Sequence, residues 1–224
     1  MSTGRSKIVC VYKIVYNFVS RYKSSQSRVQ SHQPAIEQGN LITINMELEQ
    51  TVLDLTKFSG EQFVQRFGGL YEHSPWVAES VWDDIGETAS IDLEALSIRM
   101  RAVVDSATDE KKMTLLRAHP ELAGRAAIQG KLTAESTDEQ SRARLDQCSR
   151  HEFDAFQRLN TAYNEKFGFP FIMAVRNSSR EEILQAFELR VNNTPELEFD
   201  TALQQVHQIA LLRLQATTDP DPNV

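Results

Sequence analysis

Only two of the 224 residues are cysteine, Cys10 and Cys148. Such a pair makes no disulfide framework and has no metal-ligand spacing, which excludes a stapled secreted scaffold and fits a reducing compartment. Glycine (9) and proline (7) are also scarce. No Gly-rich phosphate loop, G-x-S-x-G elbow or Cys/His nucleophile arrangement occurs. Hairpin signals, internal repeats and low-complexity domains are missing too, and no apolar run is long enough to span a bilayer. After residue 45 there is little positive charge: residues 46–224 hold 18 basic and 30 acidic residues, a net of −12. Phosphate contacts need clustered Lys and Arg, so a nucleic-acid partner is not expected.

The first 45 residues have the opposite balance, with six basic residues (Arg5, Lys7, Lys13, Arg21, Lys23, Arg28) against Glu37. Their apolar run Ile8–Val19 is broken by Lys13, and no clear small-residue cleavage site follows. Residues 1–45 are therefore read as an extension: disordered, a targeting segment or a gene-model artefact. Residues 46–216 are read as one domain and 217–224 as a flexible tail. The location expected is cytoplasmic, or an organelle if the extension is a genuine presequence.

What the domain does have is helix punctuation. Ser59–Gln62 and Ser179–Glu182 are capping-box patterns, Thr108 is a candidate cap, and Ser74-Pro75 and Thr194-Pro195 read as helix starts. Gly68-Gly69 and Gly168 read as stops. Ser136-x-x-Glu139 is read as the opening of a long helical region with Phe153, Phe156, Leu159, Tyr163 and Phe167 on one face. Phe169–Val175 is apolar throughout and holds Pro170, so it is read as a buried extended segment. The fold expected is all-α, a single multi-helix domain of about seven to nine helices.

Chemistry concentrates around His119-Pro120-Glu121-Leu122-Ala123-Gly124-Arg125 and the following Ser136-Thr137-Asp138-Glu139-Gln140. The proline disfavours the α region at His119, so a helix should end there and leave the imidazole on a rim or loop. A helix-terminal His bonded to the last carbonyls explains it equally simply. Ser136 and Glu139 are accounted for by a capping box, yet a helix start carrying hydroxyl, carboxylate and amide groups also suits an anion. Arg213 lies near the apolar stripe of the last helix, where a charge must be paired. Either a buried carboxylate or a substrate group gripped by its planar fork would serve. Phe169–Val175 brings backbone amides without ladder partners. His119, Glu121, Glu135, Glu139 and His151 form a weak metal-ligand pool, since none stand at H-E-x-x-H or paired E-x-x-H spacing.

Four stretches together resemble one family. His-Pro-Glu-Leu-Ala-Gly-Arg (119–125), Leu-Thr-Ala-Glu-Ser-x-x-Glu-Gln (132–140), Leu-Asn-x-x-Tyr-x-x-Lys-Phe-Gly-Phe-Pro-Phe-Ile (159–172) and Ile-Ala-Leu-Leu-Arg-Leu (209–214) are similar to the OHCU decarboxylases. These act on 2-oxo-4-hydroxy-4-carboxy-5-ureidoimidazoline in urate degradation. The resemblance covers about residues 50–215. It implies an all-helical, cofactor-free and metal-free homodimer that yields (S)-allantoin and carbon dioxide, with a possible pathway association with urate oxidase and hydroxyisourate hydrolase. It implies catalytic roles for His119 and Glu139. Substrate binding is implied for Pro120, Ser136, Gln140, Phe171, Ile172, Met173, Ala174, Val175 and Arg213. One departure stands out: Arg144 occupies a position where the family commonly has Gly. A helical protein-interaction module without activity and a metal-dependent hydrolase are the competing expectations.

Overall fold

Seven of the eight α-helices among the described residues start at a Ser, Thr or Asp whose side chain accepts a bond from the first turn. The computed structural model describes residues 52–85, 90–124, 132–176 and 178–217. These all belong to one compact unit, Leu48–Val224. The expected extension at 1–45 and residues 218–224 of the expected tail lie outside the described residues. The helices are α1 (Gly60–Phe67), α2 (Trp76–Ile85), α3 (Leu93–Asp105), α4 (Asp109–Ala118), α5 (Ala134–Arg142), α6 (Arg150–Phe167), α7 (Arg180–Arg190) and α8 (Pro195–Ala216). The capping boxes of α1 and α7 form as the residue pattern predicts. Pro195 occupies the first turn of α8 behind the Thr194 cap. Each such cap contributes on the order of 1 kcal/mol.

Three local features differ from expectation. A short ladder joins β1 (Val52–Asp54) to β2 (Ser90–Asp92), antiparallel with Leu53 opposite Ile91. It is too short to show period-2 alternation, so no hairpin signal exists to be read. Ser136 does not open α5. Thr133 does, in extended backbone, with its Oγ accepting from the Ser136 N–H at 3.2 Å. Ser136 is thereby freed to point inward. The long helical region is also broken. Arg144 adopts the left-handed conformation (φ 55, ψ 33), a single 3₁₀ turn Leu145–Gln147 follows, and a further capping box, Ser149 with Glu152, starts α6. Arg180 braces this corner by donating to the Arg144 carbonyl at 3.1 Å and to Glu152 at 2.9 Å.

The core that holds the site is aromatic. Tyr163 is fully buried and meets Phe167, Phe169, Phe171 and Phe187, mostly edge to face. Phe171 stacks on Phe187 at 4.0 Å. Burying each such ring is worth about 1.5–3 kcal/mol, and the ring contacts add about 0.5–1.5 kcal/mol. This anchors Phe169–Val175, which is neither helix nor strand and is mostly buried, as its composition predicts. Its spare carbonyl at Ile172 accepts from Arg190 at 2.8 Å, and its Ala174 N–H donates to Gln205 at 3.0 Å. Arg190 is paired in turn with fully buried Glu198 on α8. The long helix α8 packs against α3, α4 and α6, which carries Arg213 to the centre of the molecule.

Candidate active site

His119 ends α4. Its backbone is extended (φ −74, ψ 140), as the following proline demands. The side chain does not sit on a rim, however: the residue is buried, at 7% exposure. The Nδ1 atom lies 2.9 Å from the Leu115 carbonyl, one helical turn back. A carbonyl only accepts, so Nδ1 carries the proton and Nε2 keeps a lone pair. Burial pushes the imidazole pKa down to about 4, against the opposing pull of the Leu115 bond and of Glu72. At neutral pH the ring is uncharged, with Nε2 as a base. The helix-end bond expected from the sequence is present and fixes the ring, while burial replaces the expected rim position.

Arg213 projects from α8 between two carboxylates. Its Nε and Nη2 meet Glu139 on α5 at 2.8 and 2.9 Å. Its Nη1 meets Glu72 at 2.8 Å. The remaining donors reach the Ser136 hydroxyl at 3.2 Å and the Gly69 carbonyl at 3.3 Å. Four of the fork's five N–H groups donate to protein acceptors, and its Nη1 also lies at ion-pair distance from Glu72. Burial opposes the charge, but the two carboxylates outweigh it and raise the guanidinium pKa further. Glu139 keeps 24% of its side chain exposed, whereas Glu72 keeps 1%. Glu72 also accepts from Thr133 at 2.8 Å and from Ser136 at 3.0 Å. Burial alone would push its carboxyl up, but Arg213 and Thr133 hold it below the ordinary value, ionised.

His119, Pro120, Ser136, Glu139, Gln140, Phe171, Ile172, Met173, Val175 and Arg213 line one cleft, with Leu122 and Ile209 completing the wall. Ala174 is the exception among the residues for which the resemblance implies catalysis or substrate binding, and of the weak metal-ligand pool only His119 and Glu139 line this cleft. It lines a second, larger cleft of about 260 Å³ on the far side of the Glu139–Arg213 pair. Gln140 spends much of its amide on the wall itself, accepting from Ala123 N–H at 3.1 Å and donating to the Glu121 carbonyl at 3.3 Å. Gln157, Asn160 and Asn164 of α6 hold the same 121–123 loop. Two members went unread in the sequence. Thr133 is the actual cap, one turn ahead of the S-x-x-E pattern. Glu72 lies in the turn before α2, where no spacing or motif distinguishes a buried carboxylate from a surface one. Among the described residues, no three His, Cys, Asp or Glu side chains are grouped so as to hold a metal ion.

Comparisons with known proteins bear on this constellation. The family model described as OHCU decarboxylase matches residues 56–215. The 2-oxo-4-hydroxy-4-carboxy-5-ureidoimidazoline decarboxylase of Haloferax volcanii is 43% identical over 166 residues, covering 74% of this chain and 95% of the relative. The enzyme of the same name from Halalkalicoccus jeotgali is 42% identical over 170 residues, covering 76% and 93%. The crystal structure of (S)-allantoin synthase superposes with a TM-score of 0.59 at 34% identity, covering 74% of this chain and 53% of that one.

Proposed function

This chain belongs to the OHCU decarboxylase family, and from that premise we propose that its buried cleft removes carbon dioxide from 2-oxo-4-hydroxy-4-carboxy-5-ureidoimidazoline and releases (S)-allantoin. The observation that carries the reading is the convergence in one cleft of a neutral imidazole, whose free ring nitrogen is a base, with a carboxylate held by a buried guanidinium. A helical interaction module has no use for such a set.

The substrate supplies its own electron sink. As the bond from C4 to the carboxylate breaks, its electron pair enters the ring and the adjacent C=N pair moves onto nitrogen, which takes up a proton. The 4-hydroxyl loses its proton and becomes the ketone, and C5 gains one. The net change is one proton taken up and one carbon dioxide lost. His119 Nε2 accepts the hydroxyl proton and returns it to one face of C5, which makes the product a single enantiomer. Glu139, open to solvent on one side, passes the proton that the ring nitrogen receives. Pro120, Ser136, Gln140, Arg213 and the Phe171–Val175 backbone orient the ring, so that the chemistry starts from one pose. Among the described residues nothing accepts from the Ile172 and Met173 N–H groups, which leaves them for the substrate's carbonyl edges.

The proposed catalytic domain is residues 46–216, which contains the matched 56–215. The homodimer, the cytoplasmic location and an association with urate oxidase and hydroxyisourate hydrolase are proposed on the family resemblance. The described residues add that no helix is long and apolar enough to cross a membrane. The deciding experiment generates the labile substrate from urate in the cuvette and follows optically active allantoin by circular dichroism. A faster appearance of one enantiomer than in the enzyme-free control is expected. A racemic product at the uncatalysed rate overturns the proposal.

A further inference from the structure

Every nitrogen of the Arg213 fork already faces a protein acceptor. A carboxylate-bearing substrate can therefore take hold of the fork only by displacing an acceptor already on it. The two ionised acceptors are placed very differently. Glu139 is a quarter exposed and contacts the fork from the cleft rim. Glu72 is buried and is itself held by the Thr133 and Ser136 hydroxyls. Thr133 in turn caps α5, the helix that carries Ser136, Glu139 and Gln140.

We infer that Glu72 is a positioning residue, the permanent counter-ion that keeps Arg213 and Ser136 in place while Glu139 gives up its seat on the fork to the substrate's carboxylate. Glu72 touches neither the substrate nor the reacting atoms. It leaves the guanidinium one fixed partner, so that exchange of the other costs no buried unpaired charge. Released from the fork, Glu139 is free to carry a proton. The inference rests on the decarboxylase reading.

The test compares steady-state kinetics of the full-length wild type and Glu72→Gln at temperatures well below both melting points. With Glu72 neutral, Glu139 becomes the only charged partner of Arg213 and is harder to displace, so KM rises at least 10-fold. Simple charge removal predicts the reverse, since an anion meets one negative charge fewer and KM falls. A purely structural Glu72 lowers the active fraction and leaves KM unchanged. Either of those results overturns the inference. Should Glu72→Gln fail to fold, Glu72→Asp keeps the charge but draws the carboxylate back by one methylene. It is expected to raise KM in the same direction, and an unchanged KM overturns the inference. Wild type measured alongside separates the two levels: racemic allantoin at the uncatalysed rate from the wild type sinks the decarboxylase reading itself.

Discussion

Arg213 and Glu139, 74 positions apart in the chain, form a two-point contact at 2.8 and 2.9 Å across the cleft. Both bonds are charge-assisted and parallel, the geometry in which a planar guanidinium outperforms an ammonium. The pair joins the last helix to the helix that brings Ser136, Glu139 and Gln140 to the cleft. It also separates the smaller cleft from the wider one beside it.

Arg213→Lys should lower kcat/KM by about 10²-fold or more although the charge is kept. An ammonium has three donors on a point and cannot span Glu139, Glu72, Ser136 and Gly69 together. Initial rates of (S)-allantoin formation check this. A variant within about threefold of wild type would mean that charge alone suffices at this position.

Glu139→Gln should cost kcat about 10²- to 10⁴-fold. Its stability cost should be only about 1 kcal/mol, because Arg213 keeps Glu72 and the new amide oxygen as acceptors. For a domain of this size that is a melting shift of about 2–4 °C. A large melting loss with an unchanged rate would assign Glu139 to the scaffold alone.

His119 should govern the acid limb of the rate. Held at a pKa of about 4 by burial, it stays a base well below neutrality, so kcat/KM should be flat through pH 6.5 and fall only near 4. Its folded pKa lies below its unfolded one. Between about 6.5 and about 4 the unfolded chain therefore holds a proton that the folded chain does not, and stability falls as the pH drops through that window. Below the window this contribution is fully lost. His119→Asn should abolish activity at every pH and flatten that part of the melting curve. An acid limb centred near 6.5 in the wild type contradicts the burial argument.

Arg144→Gly should be stabilising or neutral. The left-handed backbone there costs an ordinary residue about 1–2 kcal/mol, and glycine gives back about 0.5–1 kcal/mol in unfolded-state entropy. The net gain is about 0–1.5 kcal/mol, readable as a rise in the urea midpoint. Its contact to Arg180 is through the backbone carbonyl and survives the change. A clear drop in midpoint would mean that the Arg144 side chain contributes more than its strain costs.

A chain starting at Met46 should keep its rate and its melting temperature. The motive is the shift at that point from a basic, acid-poor segment to an acidic helical domain. Aggregation or a melting point many degrees lower would show that the extension belongs to the cooperative unit.

Local rules written in neighbouring residues determined much of this protein. The Ser59, Thr108, Ser179 and Thr194 caps, the stop at Gly168 and the extended turn at His119-Pro120 each follow from one to four consecutive residues. The buried, non-helical Phe169–Val175 segment was legible for the same reason. Of the residues expected at the site, all but Ala174 line the cleft, because each lies at a helix end or in that segment. Tertiary structure alone decided the rest. Thr133 rather than Ser136 caps α5 because Ser136 is drawn inward to Glu72 and Arg213, partners 64 and 77 positions away. His119 stays uncharged well below neutrality because burial removes water from its ring. Glu72 reads as an ordinary turn glutamate until α5 and α8 close over it. Its burial and its partnership with Arg213 are long-range facts, and no window of the sequence contains them.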